Sequence, residues 1–197
     1  RGASMNSPVS SAPAGAAVPI VAPTRLGMRV VAVVAAAALT AVAARVAVPL
    51  PGIPVPFTLQ PVAVLLSGVL LGAAGGMSSQ LLYLAVGMMG VPVFAAGGGA
   101  AYLLGPTGGY LLAFPVAAWV AGRVASRSPG AFDIALGAFL GLAIIHLGGL
   151  SWLAALSGRE QAAAVGLAPF FVGDLLKIAL VTVAGLGARS WMRRARD

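Results

Sequence analysis

The 197-residue chain has no cysteine, a single histidine and only four acidic residues. Without thiols, disulfides, thiolate nucleophiles and sulfur-ligated metal or iron centres are excluded. Charged residues make up 8% of the chain, against about 25% in ordinary soluble domains, while 60% of residues are hydrophobic. Most of such a chain cannot face water. The reading is an all-α, polytopic membrane protein with room for about six transmembrane helices of about 20 residues and no soluble catalytic domain. The shortage of acids leaves a net charge of +8. That balance can signal a nucleic-acid partner, but here the arginines stand at the edges of apolar spans, where they set membrane orientation, and nucleic acid is discarded.

What is present can be taken in order. Residues 1–24 are rich in Ser, Ala and Pro and are expected to form a disordered tail, with Met5 its candidate natural start. The apolar run Leu26 to Val48 is too long for a signal-peptide core and is assigned to helix one. Within it, Ala32, Ala36, Ala37 and Ala41 give small-residue spacing that lets another helix approach closely, although plain alanine bias produces the same pattern. Pro49, Pro51, Pro54 and Pro56 then forbid helix and predict a stiff loop over Val48 to Thr58, folded back as a lid. A plain turn between helices would need far fewer residues.

Helix two is expected over Leu59 to Leu71 and helix three over Met77 to Met89, joined by a short Gly-Ala-Ala-Gly-Gly turn; Gln60, Gln80 and Tyr83 are their polar candidates. Gly90 to Pro106 is a glycine-rich connection, and since no lysine follows its glycines it is not a nucleotide-binding loop. Helix four is expected over Tyr110 to Val124, helix five over Phe132 to Leu156 and helix six over Ala164 to Ala188. His146 stands alone in helix five, where a histidine is ordinarily a packing residue and, without acidic or sulfur neighbours in sequence, does not make a metal site. No cofactor fingerprint is present.

Arg25 and Arg29, Arg123 and Arg127, and the terminal arginines from Arg189 onward fall on one side of a six-span topology, which places both termini in the cytoplasm. The domain reading is a tail over 1–24, a six-helix transmembrane substrate-binding domain over 25–190 and a basic cytoplasmic tail over 191–197. The proline loop, the Gly-Pro-Thr-Gly-Gly-Tyr segment and the start of helix six then meet at the opposite face. Asp174 and Lys177, three residues apart, share one face of that helix. An ionisable group within a membrane helix costs roughly 2.5–3.5 kcal/mol on insertion scales, so the pair either neutralises itself or completes its solvation with a small polar ligand. Asp174 is expected about ten residues into the helix, roughly 15 Å deep, at the floor of an outward-facing pocket.

Four stretches, Ile53-Pro-Val-Pro-Phe-Thr-Leu-Gln60, Gly90-Val-Pro-Val-Phe94, Gly105-Pro-Thr-Gly-Gly-Tyr110 and Pro169-Phe-Phe-Val-Gly-Asp-Leu-Leu-Lys177, resemble in order the motifs of the BioY family. That family comprises the biotin-specific S components of energy-coupling-factor transporters. The resemblance implies a substrate-capture subunit that takes biotin from outside and topples when docked to a transmembrane coupling protein with two cytoplasmic ATPases. It implies a bacterial inner-membrane location, no cofactor, and a use for Ala32, Ala36, Ala37 and Ala41 against the coupling protein. Homo-oligomerisation is left open. For biotin, Asp174 would accept a ureido N–H and Lys177 would meet the ureido oxygen or the carboxylate. Gln60, Tyr83 and Thr107 are candidates for the remaining polar ends, and Phe57, Phe94 and Tyr110 for packing on the ring. A self-sufficient carrier without an ATPase is the alternative. An enzyme is the weaker reading, since no nucleophile–base constellation or metal cluster is evident.

Overall fold

The computed structural model describes residues 25–128, 130–160, 162 and 170–194. The tail expected over 1–24, the opening turns of helix six from Ala164 to Pro169, and residues 195–197 lie outside the described residues. The first helix, α1 (Arg25–Ala43), stops five residues short of the expected Val48. Its last turn tightens as Arg45 and Val46 donate to the carbonyls of Val42 and Ala43. Pro49 bars helical geometry at Val48. Instead β1 (Ala47–Val48) pairs antiparallel with β2 (Phe57–Thr58), Ala47 opposite Thr58 and Val48 opposite Phe57, so the proline loop is a closed hairpin.

Helix α2 (Gln60–Met88) is two helical arms that meet at a break. Gly72 has φ 75° and ψ 175°, a region open essentially to glycine, and there the chain reverses. The nitrogen Nε2 of Gln80 lies 3.2 Å from Ser67 Oγ, a pair that an unbroken helix would hold roughly 20 Å apart. The two arms, 60–71 and 73–88, are therefore an antiparallel hairpin, and the expected five-residue turn shrinks to one residue. It can do so because Gly76 lies directly on Gly68, where a side chain on either would collide. A four-residue helix, α3 (Ala100–Leu103), interrupts the glycine-rich connection. Then follow α4 (Gly108–Ala125), α5 (Ala131–Ser157) and α6 (Phe171–Arg194). Among the described residues five of these helices are long and apolar enough to cross a membrane, and with α2 counted as two arms there are six long helical segments besides the short α3.

Helix α4 is the most buried span and packs between α2 and α5. The contacts are made by small residues: Gly68 lies against the Ala118 carbonyl and Gly122, and Gly137 against Ala121, so backbones approach closely without large side chains between them. Large apolar side chains such as Val30, Val31, Leu112, Phe139, Leu175 and Val183 are exposed instead, as a lipid-facing surface requires. The membrane interior also holds a polar knot: Gln80 Nε2 is 3.2 Å from Thr40 Oγ1 on α1, 3.2 Å from Ser67 Oγ and 3.1 Å from Ser79 Oγ, and all four residues are buried.

The two ends of the bundle differ. Arg29 borders a crevice with Leu71, Ala74 and Gly75 beside the Gly72 reversal. Arg189 donates from Nη1 to the Ala125 carbonyl and from Nη2 to that of Val69, each at 2.9 Å. The start of α1, the α2 reversal, the end of α4 and the end of α6 thus gather at one arginine-rich end. The hairpin, the glycine-rich connection and the start of α6 lie at the other.

Candidate ligand pocket

The loop-bearing end bounds a cavity with about 560 Å³ of empty space, counted out into the open solvent at its mouth. Its polar wall comes from four elements: Gln60 opens α2, Thr107 precedes α4, His146 reaches in from α5, and Asp174 and Lys177 stand on α6. Tyr102, Tyr110, Phe114 and Phe170 supply aromatic surface. Thr107 sits at the N-cap position of α4, yet its hydroxyl makes no capping hydrogen bond. Val55 and Pro56 of the hairpin also line the space, while Leu50 and Ile53 pack onto the core. Pro49, Pro51 and Pro54 are exposed on the hairpin's outer side. The loop thus forms part of the cavity wall.

Asp174 is in the first turn of α6 as described, three residues after Phe171; the residues from Ala164 over which its expected depth is counted lie outside the described ones. Its position near a helix N-terminus favours a negative charge. One carboxylate oxygen accepts from Lys177 Nζ at 3.0 Å and the other from His146 Nε2 at 2.5 Å. The Lys177 ammonium stands 4.1 Å from the centroid of the Phe57 ring, a cation–π contact, and Phe57 stacks on Phe170 at 6.2 Å. Two glycines seat these rings: a Cβ at Gly173 would collide with Phe57, and one at Gly149 with Tyr110. Lys177 is buried and Asp174 and His146 nearly so, which places three interacting polar groups at the edge of a cavity in an apolar bundle.

Of the residues expected at the site, Asp174, Lys177, Gln60, Thr107 and Tyr110 border the cavity directly. Phe57 lies just behind it, under Lys177. Tyr83 and Phe94 stand one layer back. The Tyr83 hydroxyl accepts from Gln60 Nε2 at 2.7 Å and donates to the Val93 carbonyl at 3.1 Å, and Phe94 packs edge-on to Tyr83 and stacks with Tyr102. Both are fully buried, so they brace Gln60 and the glycine-rich connection rather than the cavity surface. With Thr58 Oγ1 donating to Gln60 Oε1 at 3.2 Å, the Gln60 amide is held at both ends.

His146, expected as a hydrogen-bonded packing residue, is bonded to Asp174 across 28 positions of sequence and also borders the cavity. On α1, Ala37 is buried while Ala32, Ala36 and Ala41 are half-buried; Ala41 lines a crevice with Leu82, Tyr83 and Val86 of α2, and Ala32 one with Leu71 and Ala74. The Thr40–Gln80 contact fixes the neighbouring face of α1 against the hairpin.

Residues 15–194 match the BioY family. The chain belongs to the BioY family. Among its relatives are a "Probable biotin transporter BioY" of Pyrococcus horikoshii, 42% identical over 147 residues, and the "Biotin transporter BioY" of Thermotoga maritima, 40% identical over 152. These alignments cover 74% and 76% of the chain and 86% and 88% of the relatives. In shape the BioY chain resembles a crystal structure of the S-component for biotin from an ECF-type ABC transporter. That match has a TM-score of 0.77 and 27% identity, and covers 86% of this chain and 95% of the other.

Proposed function

We propose that this BioY protein is the membrane-embedded subunit that captures biotin for an energy-coupling-factor transporter. The observation that carries the reading is the convergence of an acceptor, Asp174, and a cationic donor, Lys177, on a cavity lined in part by the proline hairpin. A cyclic urea with an apolar ring and a carboxylate tail suits that lining. Asp174 accepts a ureido N–H, Lys177 donates to the ureido oxygen or to the carboxylate, and Gln60 and Thr107 meet the remaining polar atoms. Tyr110, Phe114 and Phe170 pack on the ring. A buried polar site of this kind rejects analogues lacking the matching groups far more strongly than an apolar one does.

Orientation follows from charge. Arg29, Arg123, Arg127 and Arg189 belong to the end away from the cavity, and basic residues favour the cytoplasm. The pocket then opens outward from a cytoplasmic membrane. Delivery to the other side falls to a transmembrane coupling protein with two cytoplasmic ATPases, and the ligand leaves chemically unchanged, so the protein is a carrier subunit and not an enzyme. Calorimetry of the purified chain against biotin and a panel of other vitamins tests the assignment. Selective, saturable binding of biotin is expected, and equal or absent response to biotin overturns it. Uptake into vesicles holding the chain alone separates this reading from a self-sufficient carrier.

A further inference from the structure

We propose that His146 is a positioning residue that aims the Asp174 carboxylate at the ligand and so sets the pocket's demand for an N–H donor. This rests on the biotin reading above and adds a residue to it. Lys177 stands on the same helix three residues away and holds one carboxylate oxygen, which leaves the other to a different partner. His146 belongs to a different helix, α5, and holds Oδ2 at 2.5 Å while Lys177 holds Oδ1 at 3.0 Å. With one oxygen pinned from each side, rotation of the carboxylate breaks a hydrogen bond, and its unused lone pairs keep one direction. An ionised carboxylate only accepts, so the imidazole donates from Nε2.

The imidazole is itself confined. Tyr110 packs against it edge-on at 6.1 Å between ring centroids and Phe170 lies at 6.0 Å, while Nδ1 is shut off from solvent with no hydrogen-bond partner. Among the described residues it is the one buried side-chain nitrogen or oxygen left so. A histidine serving only to pack would gain by satisfying that atom. Here the ring is placed for the sake of Nε2, in the manner of residues behind a ligand-binding group that orient it rather than touch the ligand.

The test uses the full chain in detergent and titrates biotin and a biotin analogue methylated on its ureido nitrogens into four proteins. These are wild type, His146→Leu, His146→Asn and His146→Gln. The glutamine amide can donate from near the Nε2 position, whereas asparagine stops near Nδ1. Losing a hydrogen bond to a charged group predicts that His146→Leu and His146→Asn weaken biotin by about ten- to a hundredfold, and that His146→Gln stays within about threefold of wild type. The methylated analogue, which cannot use the aimed carboxylate, should lose far less, so the preference for biotin narrows. If the leucine variant does not fold, the asparagine–glutamine comparison decides the matter. Equal losses for both ligands with no rescue by glutamine, or no loss at all, overturn the proposal while leaving the biotin assignment standing. Wild type that ignores biotin sinks both.

Discussion

Two polar clusters sit in this apolar bundle, and they resolve the same problem in opposite ways. Around Gln80 the hydroxyls of Thr40, Ser67 and Ser79 each find a backbone carbonyl or the Gln80 amide, all four residues are buried, and none of them borders the ligand cavity. Around Asp174, charges are paired but the cluster opens onto a cavity and leaves a buried nitrogen without a partner. The closed, uncharged network holds helices together, whereas the charged one opens onto a cavity. The difference separates a polar site sealed by its own partners from one with room beside it.

Several substitutions sharpen or break that contrast. Lys177→Ala should have the largest effect. Truncating one partner of a buried charge pair costs about 2–5 kcal/mol, so biotin affinity by calorimetry should fall well over tenfold. Gly72→Ala comes next but on the other axis. Forcing a side chain into that backbone region costs about 1–3 kcal/mol, so the melting temperature in detergent should drop while the affinity of the folded fraction holds. Phe57→Leu removes the ring beneath Lys177 and should weaken biotin by roughly fivefold, in line with a cation–π contact of about 1 kcal/mol. Gln80→Leu should be mildest, about 0.6 kcal/mol and at most about 1.7, seen in thermal melting and not in the binding isotherm. A variant of the closed cluster that abolished binding, or one of the open cluster that only lowered the melting point, would erase the distinction.

Much of this was legible in the sequence. The spans near α4 and α5 fall within two residues of their expected limits because apolar runs end in glycine, proline or arginine at both edges. The end of α1 was not legible, since Ala44 to Val48 reads as helix until the pairing of Val48 with Phe57 is known. The Gly72 reversal was placed but drawn too long, because only the fold shows Gly76 resting on Gly68. At the site, Asp174 and Lys177 declared themselves through the penalty of burying charge, and Gln60, Thr107 and Tyr110 through the stretches that carry them. His146 did not, for a single polar residue on an apolar helix has no period to read and its partner is 28 positions away. Tyr83 and Phe94 were expected at the ligand, and sequence spacing cannot tell a residue that borders a cavity from one that supports its wall.

The central claim is that the Asp174 cluster is incomplete by construction and that biotin completes it. Its most direct test is a paired titration of biotin into Asp174→Asn and Gln80→Leu, both checked for folding by thermal melting. The account predicts that folded Asp174→Asn loses binding by well over tenfold, while Gln80→Leu binds as wild type does. Wild-type affinity in a folded Asp174→Asn protein would contradict it.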